Sequence, residues 1–150
     1  MAFPKPKKFN PRNPQKYVGD AKNIWSRSSW EMRVMKYLDL TENVLQWASE
    51  EITIPYISPV DGLQHRYFID FFLKVKDKDN NITVHLWEVK PFIQTQLPIQ
   101  GKRRTKKFLA ECATYAVNQA KWRAADEYCC SRNYKFSILT EYELGIKKRK

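Results

Sequence analysis

Between residues 26 and 40, in SRSSWEMRVMKYLDL, apolar side chains at Trp30, Val34, Met35, Tyr37 and Leu38 recur with the spacing of an amphipathic helix. The rhythm then changes. Residues 44–57 (VLQWASEEITIPYI) and 65–76 (HRYFIDFFLKVK) are rich in β-branched and aromatic residues, with the turn dipeptide Asp61-Gly62 between them, and both read as strands. In NITVHLWEVK the alternation is regular: Ile82, Val84, Leu86, Glu88 and Lys90 face one way, and Thr83, His85, Trp87 and Val89 the other. The connection DKDNN (77–81) is short, so the three strands are expected as an antiparallel meander. Pro91 ends the third strand, and a loop runs past Pro98 and Gly101. A long alanine-rich helix is expected over 105–130, with Phe108, Cys112, Tyr115 and Ala116 on one face. YKFSILTEY (134–142) reads as a last strand. The order α-β-β-β-α-β makes one α/β domain with helices packed on a central sheet.

Three carboxylates violate this pattern. Asp70 lies inside YFIDFFL and shares a strand face with Phe68 and Phe72. Glu88 closes the apolar face of the next strand, with Lys90 following on the same side. Glu31 sits beside the apolar stripe of the first helix. An unpartnered buried carboxylate costs on the order of several kcal/mol, so each needs a partner. Asp70 and Glu88 lie on hairpin neighbours and would repel unless a cation stood between them. One such cation is Lys90, which would make Asp70–Lys90 or Glu88–Lys90 a structural ion pair at the sheet edge. The other is a divalent metal. Two carboxylates on adjacent strands, with the Val89 carbonyl nearby, suit Mg²⁺ and leave Lys90 to hold or deprotonate an attacking water. Glu31 also has a local reading, because Ser28-Ser29-Trp30-Glu31 fits a helix capping box; the two roles are compatible. Asp77-x-Asp79-x-Asn81 with Glu88 imitates the spacing of a calcium loop, but Ile82 stands where that loop needs glycine.

Composition narrows the partners. The chain has 150 residues, 43% of them hydrophobic, enough for one domain with a sizeable core. Its net charge of +11 calls for a polyanion, most simply nucleic acid, although ribosomal or membrane-surface proteins share that charge. No apolar run approaches the roughly 18 residues of a membrane span, and no signal-like segment follows the basic N-terminus. Cys112, Cys129 and Cys130 form no CxxC pair and lie far from His65 and His85, so reduced thiols are expected and cysteine-bound zinc is not. Residues 1–22, with Pro4, Pro6, Pro11 and Pro14, read as an extended basic arm, either a flexible tail or a phosphate-tracking one. The domain is then expected over 23–143, with a basic tail at 144–150 ending in KKRK. GKRRTKK (101–107) puts Lys102, Arg103, Arg104, Lys106 and Lys107 near the start of the long helix, where phosphate is favoured, or leaves them as a solubilising run. No feature of the sequence reads bases.

FID ending at Asp70, then seventeen residues, then EVK at 88–90, resembles the signature of the PD-(D/E)xK nuclease superfamily, whose core has this α-β-β-β-α-β order. More narrowly, SSWE, YFIDFFL and WEVKP are similar to TnsA-like endonucleases. The resemblance implies a restriction-endonuclease-like αβββαβ fold, with a mixed central sheet flanked by helices. It also implies a deoxyribonuclease that uses Mg²⁺, with Mn²⁺ as a substitute, and leaves a 5′-phosphate and a 3′-hydroxyl. Under it, Asp70 and Glu88 become metal ligands, Lys90 orients the water, and Glu31 is the helix-one acid supporting the metal. The superfamily often adds polar residues from the second helix; Asn118, Gln119 and Lys121 are the candidates for DNA contacts, or equally a solvated face. Ile69 stands in place of the signature's proline, at a position that varies in the superfamily. In length and basic ends the chain is also similar to nucleases that tailed phages use at the head. That implies DNA and head or portal proteins as partners, no membrane, and action in the host cytoplasm during assembly or in the virion. The competing reading is a DNA-binding structural protein of the head vertex that keeps the fold without catalysis.

Overall fold

Local signals fix the helix ends in the computed structural model, which describes residues 5–148; the first four residues of the basic arm and the last two of KKRK lie outside the described residues. In chain order the elements are β1 (Lys7–Phe9), a 3-10 turn (Pro14–Lys16), β2 (Ile24–Ser26), α1 (Ser29–Leu40), β3 (Val44–Ser49) and β4 (Thr53–Ile57). There follow β5 (Gln64–Phe68), β6 (Phe71–Lys76), β7 (Ile82–Val89), a second 3-10 turn (Phe92–Thr95), α2 (Lys106–Arg132) and β8 (Lys135–Leu139). Ser28 Oγ accepts a hydrogen bond from the Glu31 amide at 3.1 Å and so starts α1. Thr105 Oγ1 does the same for Phe108, and Asn133, left-handed at φ 59°, closes α2.

The segments expected as single strands at 44–57 and 65–76 do pair, but each is broken in the middle. Ser49 pairs with Phe71 on one side of the break and Thr53 with Phe68 on the other, so the first strand carries one extra residue through the corner. Glu50 absorbs that residue in a left-handed conformation, φ 56°, and its amide donates to the Asp70 carbonyl at 3.2 Å. One long ribbon therefore becomes two sheets: β4–β5 alone, and a four-stranded sheet in the order β3-β6-β7-β8. Asp70 sits in the corner between β5 and β6, not inside a strand as its sequence suggested. β8 joins β7 in parallel, which makes the larger sheet mixed.

The sheet has a helix layer on each side. On the α1 side, Val34, Met35 and Leu38 pack with Trp47, Phe71, Leu73 and the first strands. On the α2 side, Trp122, Ala125 and Cys129 pack with Ile54, Tyr67, Ile69 and Leu86. The face expected for α2 is corrected here: Phe108, Cys112, Tyr115 and Ala116 are only half-buried, and the buried stripe is Asn118, Trp122, Ala125 and Cys129. The reason is length. A helix of 27 residues reaches about 40 Å, whereas the longest strand it lies against, eight residues, reaches about 26 Å. Its basic N-terminal half overhangs.

Residues 5–22 are exposed over most of their length but anchored to the domain, in contrast to the free arm expected. Phe9 and Tyr17, with Ile24 beyond them, enter the α1-side core. Asp39 accepts from the amides of Arg12 (2.8 Å) and Asn13 (3.0 Å), and the Lys16 ammonium donates to the carbonyls of Leu38, Asp39 and Thr41 at the end of α1. A cation on those carbonyls suits the negative end of the helix. Among the described residues no helix is long and apolar enough to cross a membrane.

Candidate active site

The corner brings the two anomalous carboxylates together. Pairing of Phe71 with Trp87, continued one residue, sets Asp70 opposite Glu88. Asp70 Oδ2 accepts from the Val89 amide at 2.8 Å. Glu88, only 5% exposed, lies on the same face as Leu86, and Tyr67, 4% exposed, donates its hydroxyl to Glu88 Oε2. On the other carboxylate oxygen, Lys90 Nζ stands 3.9 Å from Oε1. The Lys90 amide is bonded to the Leu139 carbonyl at 3.0 Å, so β8 holds the end of β7 in place.

Burial pushes both acids up. Asp70 rises from 3.8 to about 7, with the charges of Glu31 and Glu50 adding and the Val89 amide and Lys90 opposing. Glu88 rises from 4.5 to about 7 by the same desolvation, against Lys90 and Lys121. Glu31 is also raised, first by burial, then by Glu50, while its bond from the Arg27 amide and the charges of Arg27 and Lys90 pull it down. The charges of Glu31, Glu50 and Lys90 thus act on both Asp70 and Glu88 at the end of β7. Glu31 does cap its helix, but its side chain closes on the Arg27 amide (3.3 Å), one residue before the cap residue.

Two members of this group were not foreseen. Tyr67 left a signal: alternation puts it on the core face, and a buried tyrosine needs a hydrogen-bond partner. Glu50 left none, because SEEIT gives no hint of a corner; its carboxylate pairs with Arg27 at 3.3 Å. The expected helix-two residues divide. Lys121 Nζ lies 5.5 Å above the Tyr67 ring and 5.9 Å above Tyr56, on the Glu88 side of the sheet. Asn118 is buried, its Nδ2 without a hydrogen-bond partner among the described residues, and Gln119 is half-buried. Lys102, Arg103, Arg104, Lys106 and Lys107 are all exposed at the overhanging end of α2. None of these five forms an ion pair with Asp70 or Glu88 among the described residues.

The donor set fits a hard divalent cation. Buried Glu88 and half-buried Asp70 stand opposite each other in the register, desolvation raises both, and the Lys90 ammonium is 3.9 Å from Glu88. Among the described residues no three His, Cys, Asp or Glu side chains converge to enclose an ion by themselves. Mg²⁺ needs no such cage, since it takes one or two carboxylates and keeps several waters.

Residues 41–141 match the family model for the N-terminal domain of TnsA-like endonucleases. Asp70, Glu88 and Lys90 lie inside that span and Glu31 outside it. The chain is also similar to the head completion nuclease of enterobacteria phage T4, with 38% identity over 138 residues that cover 89% of each protein.

Proposed function

This chain belongs to the TnsA-like endonuclease family, a PD-(D/E)xK-type nuclease family, and on that premise we propose that it hydrolyses DNA with Mg²⁺ during completion of a phage head. Its fold is the restriction-endonuclease-like αβββαβ core with a mixed sheet. The observation that carries the reading is the Asp70–Glu88 pair, half-buried Asp70 in the β5–β6 corner opposite buried Glu88 on β7, with Lys90 alongside. The catalytic residues lie within 23–143, with the basic segments 1–22 and 144–150 at its ends and Phe9 and Tyr17 of the first segment packed into its core. Head or portal proteins are the partners this role supplies, and the site of action is the infected cell.

Asp70, Glu88 and the Val89 carbonyl would hold the ion, with Glu31 supporting it from α1; Mn²⁺ satisfies the same donors. The chemistry the ion would supply there is polarisation of the scissile phosphoryl group and a lowered pKa of bound water. Tyr67 fixes one oxygen of Glu88, leaving the other toward Lys90. The Lys90 ammonium orients the attacking water. Water oxygen bonds to phosphorus and gives up one proton to solvent as the P–O3′ bond breaks and O3′ takes up one from solvent, giving a 5′-phosphate and a 3′-hydroxyl. Lys102, Arg103, Arg104, Lys106 and Lys107 hold duplex phosphates at the start of α2, with Gln119 and Lys121 along the same helix toward the site, while buried Asn118 is withdrawn from the DNA face.

Cleavage of linear, circular and branched DNA with Mg²⁺, Mn²⁺ or EDTA tests this against Glu88→Ala. The expected result is cutting that needs metal and disappears in the variant. Intact duplex binding without cutting of any substrate would instead favour a non-catalytic protein of the head vertex. Glu31 separates into its two roles by substitution. Glutamine also serves at the third position of a capping box, so Glu31→Gln is expected to leave the melting temperature unchanged and lower cleavage at least tenfold. Glu31→Ala should lose both, with about 1 kcal/mol of stability gone. Wild-type cleavage by Glu31→Gln would make this residue a cap only.

A further inference from the structure

A cavity of about 790 Å³ opens between the β1–β2 hairpin and the first turns of α1. Lys5, Lys7 and Arg27 line one wall; Trp30, Arg33 and Lys36 line the other. Glu31 and also Val89 and Pro91, the two residues that bracket Lys90, line it as well, so the cavity reaches the catalytic residues. Arg27 is already paired with Glu50. Lys5, Lys7, Arg33 and Lys36 are exposed, and among the described residues none of them forms an ion pair. Four unneutralised cations around one groove repel each other and concentrate anions. The hairpin is not loosely attached: Lys7 is in register with Ser26 and Phe9 with Ile24, and the Phe9 side chain is buried in the core.

We propose that this groove binds the backbone of a single DNA strand and leads it to the catalytic centre from the α1 side. The choice of DNA as the anion rests on the nuclease reading above; the groove itself does not. Its volume is that of a pocket for a small-molecule-sized ligand, so it admits a nucleotide or two of one strand and not a duplex. Trp30, half-buried on its wall, offers a ring face on which an unpaired base stacks, as in grooves that track single strands. This cluster is separate from Lys102–Lys107, which sits at the start of α2. It is assembled from residues 5–36, all preceding the segment that matches the family model.

The test is binding in EDTA, where no cleavage occurs. The full-length protein, a Lys7→Ala/Arg33→Ala/Lys36→Ala variant and a Lys102→Ala/Arg103→Ala/Arg104→Ala variant are titrated into a fluorescent single strand and a blunt duplex of equal length, across a salt series. The groove variant is expected to lose on the order of tenfold in single-strand affinity, with its salt slope smaller by about 2, and to bind duplex within about twofold of the wild type. The α2 variant should show the reverse. Unchanged single-strand affinity and slope in the groove variant, or an equal loss on both substrates, overturns the assignment. Should the triple variant melt early, Lys7→Ala and Lys36→Ala taken singly are each expected to reduce the slope by about 0.7. Trp30→Phe, which keeps a ring, should bind normally but remove part of the tryptophan quenching that the single strand causes; undiminished quenching removes Trp30 from the site. Catalysis does not enter this measurement. Strand binding in the groove by a protein that never cuts refutes the nuclease reading alone, and cutting by a protein indifferent to the groove variant refutes the groove alone.

Discussion

Lys90→Ala is expected to abolish cleavage while leaving duplex binding within a few-fold of the wild type. The Lys90 ammonium is 3.9 Å from Glu88 Oε1, its side chain is 29% exposed, and its backbone is tied to β8. It therefore faces the carboxylate pair with one side open, where a water attacking phosphorus has to stand. Positioned proton donors and acceptors of this kind contribute about 10²- to 10⁴-fold to rate. On the proposed reading duplex affinity comes mainly from the exposed cations Lys102–Lys107, so it should survive. Lys90→Arg divides the two roles left to the lysine. Arginine keeps the charge and the hydrogen bonds but does not give up its proton. Cleavage by Lys90→Arg within about tenfold of the wild type would mean that orientation suffices; activity as low as Lys90→Ala would mean that the lysine itself takes the proton. Normal cutting by Lys90→Ala would sink the mechanism.

Asp70→Asn is expected to be inactive yet more stable than the wild type without metal. Both acids titrate higher in the folded protein than in the unfolded chain: Asp70 at about 7 against 3.8, and Glu88 at about 7 against 4.5. The folded state thus holds their protons more tightly, so protonation favours folding. Stability from this source is full below about pH 4 and falls as pH rises through 7. For Asp70 alone the rise from 3.8 to about 7 corresponds to on the order of 4 kcal/mol above pH 8. For a chain of this size that is roughly 10 °C in melting temperature. Asparagine can still accept the Val89 amide bond with its oxygen, so the corner should persist. Thermal melts in EDTA from pH 5 to 8.5 check the sign. The wild type should lose stability over that interval, Asp70→Asn should lose about half as much because Glu88 still titrates, and Mg²⁺ at pH 8 should raise only the wild type. A variant that melts lower than the wild type in EDTA at pH 8 would instead make Asp70 half of a structural ion pair.

How much of this was legible beforehand depends on distance along the chain. The Asp70–Glu88 pairing was legible because only five residues, 77–81, separate the strands, and a short hairpin fixes its register. Val75 opposite Thr83 and Lys76 opposite Ile82 carry directly to 70 and 88. The ends of α1 and α2 were legible for the same reason, since Ser28 and Thr105 bond to amides three residues on. β-propensity alone could not show the corner. Residues 44–57 and 65–76 are continuous in composition, and the break exists because Glu50 and Asp70, twenty positions apart, meet across the ribbon. The packing of residues 5–22 was hidden in the same way, because proline and lysine content suggests extension while Asp39 and the carbonyls ending α1 supply the anchors.

By itself, then, the sequence determined the local hydrogen bonds: the helix caps, the β6–β7 hairpin, and through that hairpin the juxtaposition of Asp70, Glu88 and Lys90. The tertiary structure alone decided what surrounds them. It bent the ribbon at Glu50, set Tyr67 and Lys121 against Glu88, brought Glu31 and Arg27 to the end of β7, and folded the first strands back to line a basic groove. Each of those contacts joins elements whose own backbone bonds are already satisfied. What brings them together is the burial of Trp47, Phe71, Leu86 and Trp122 between two helices and a sheet, and apolar burial has no direction that a sequence pattern could record.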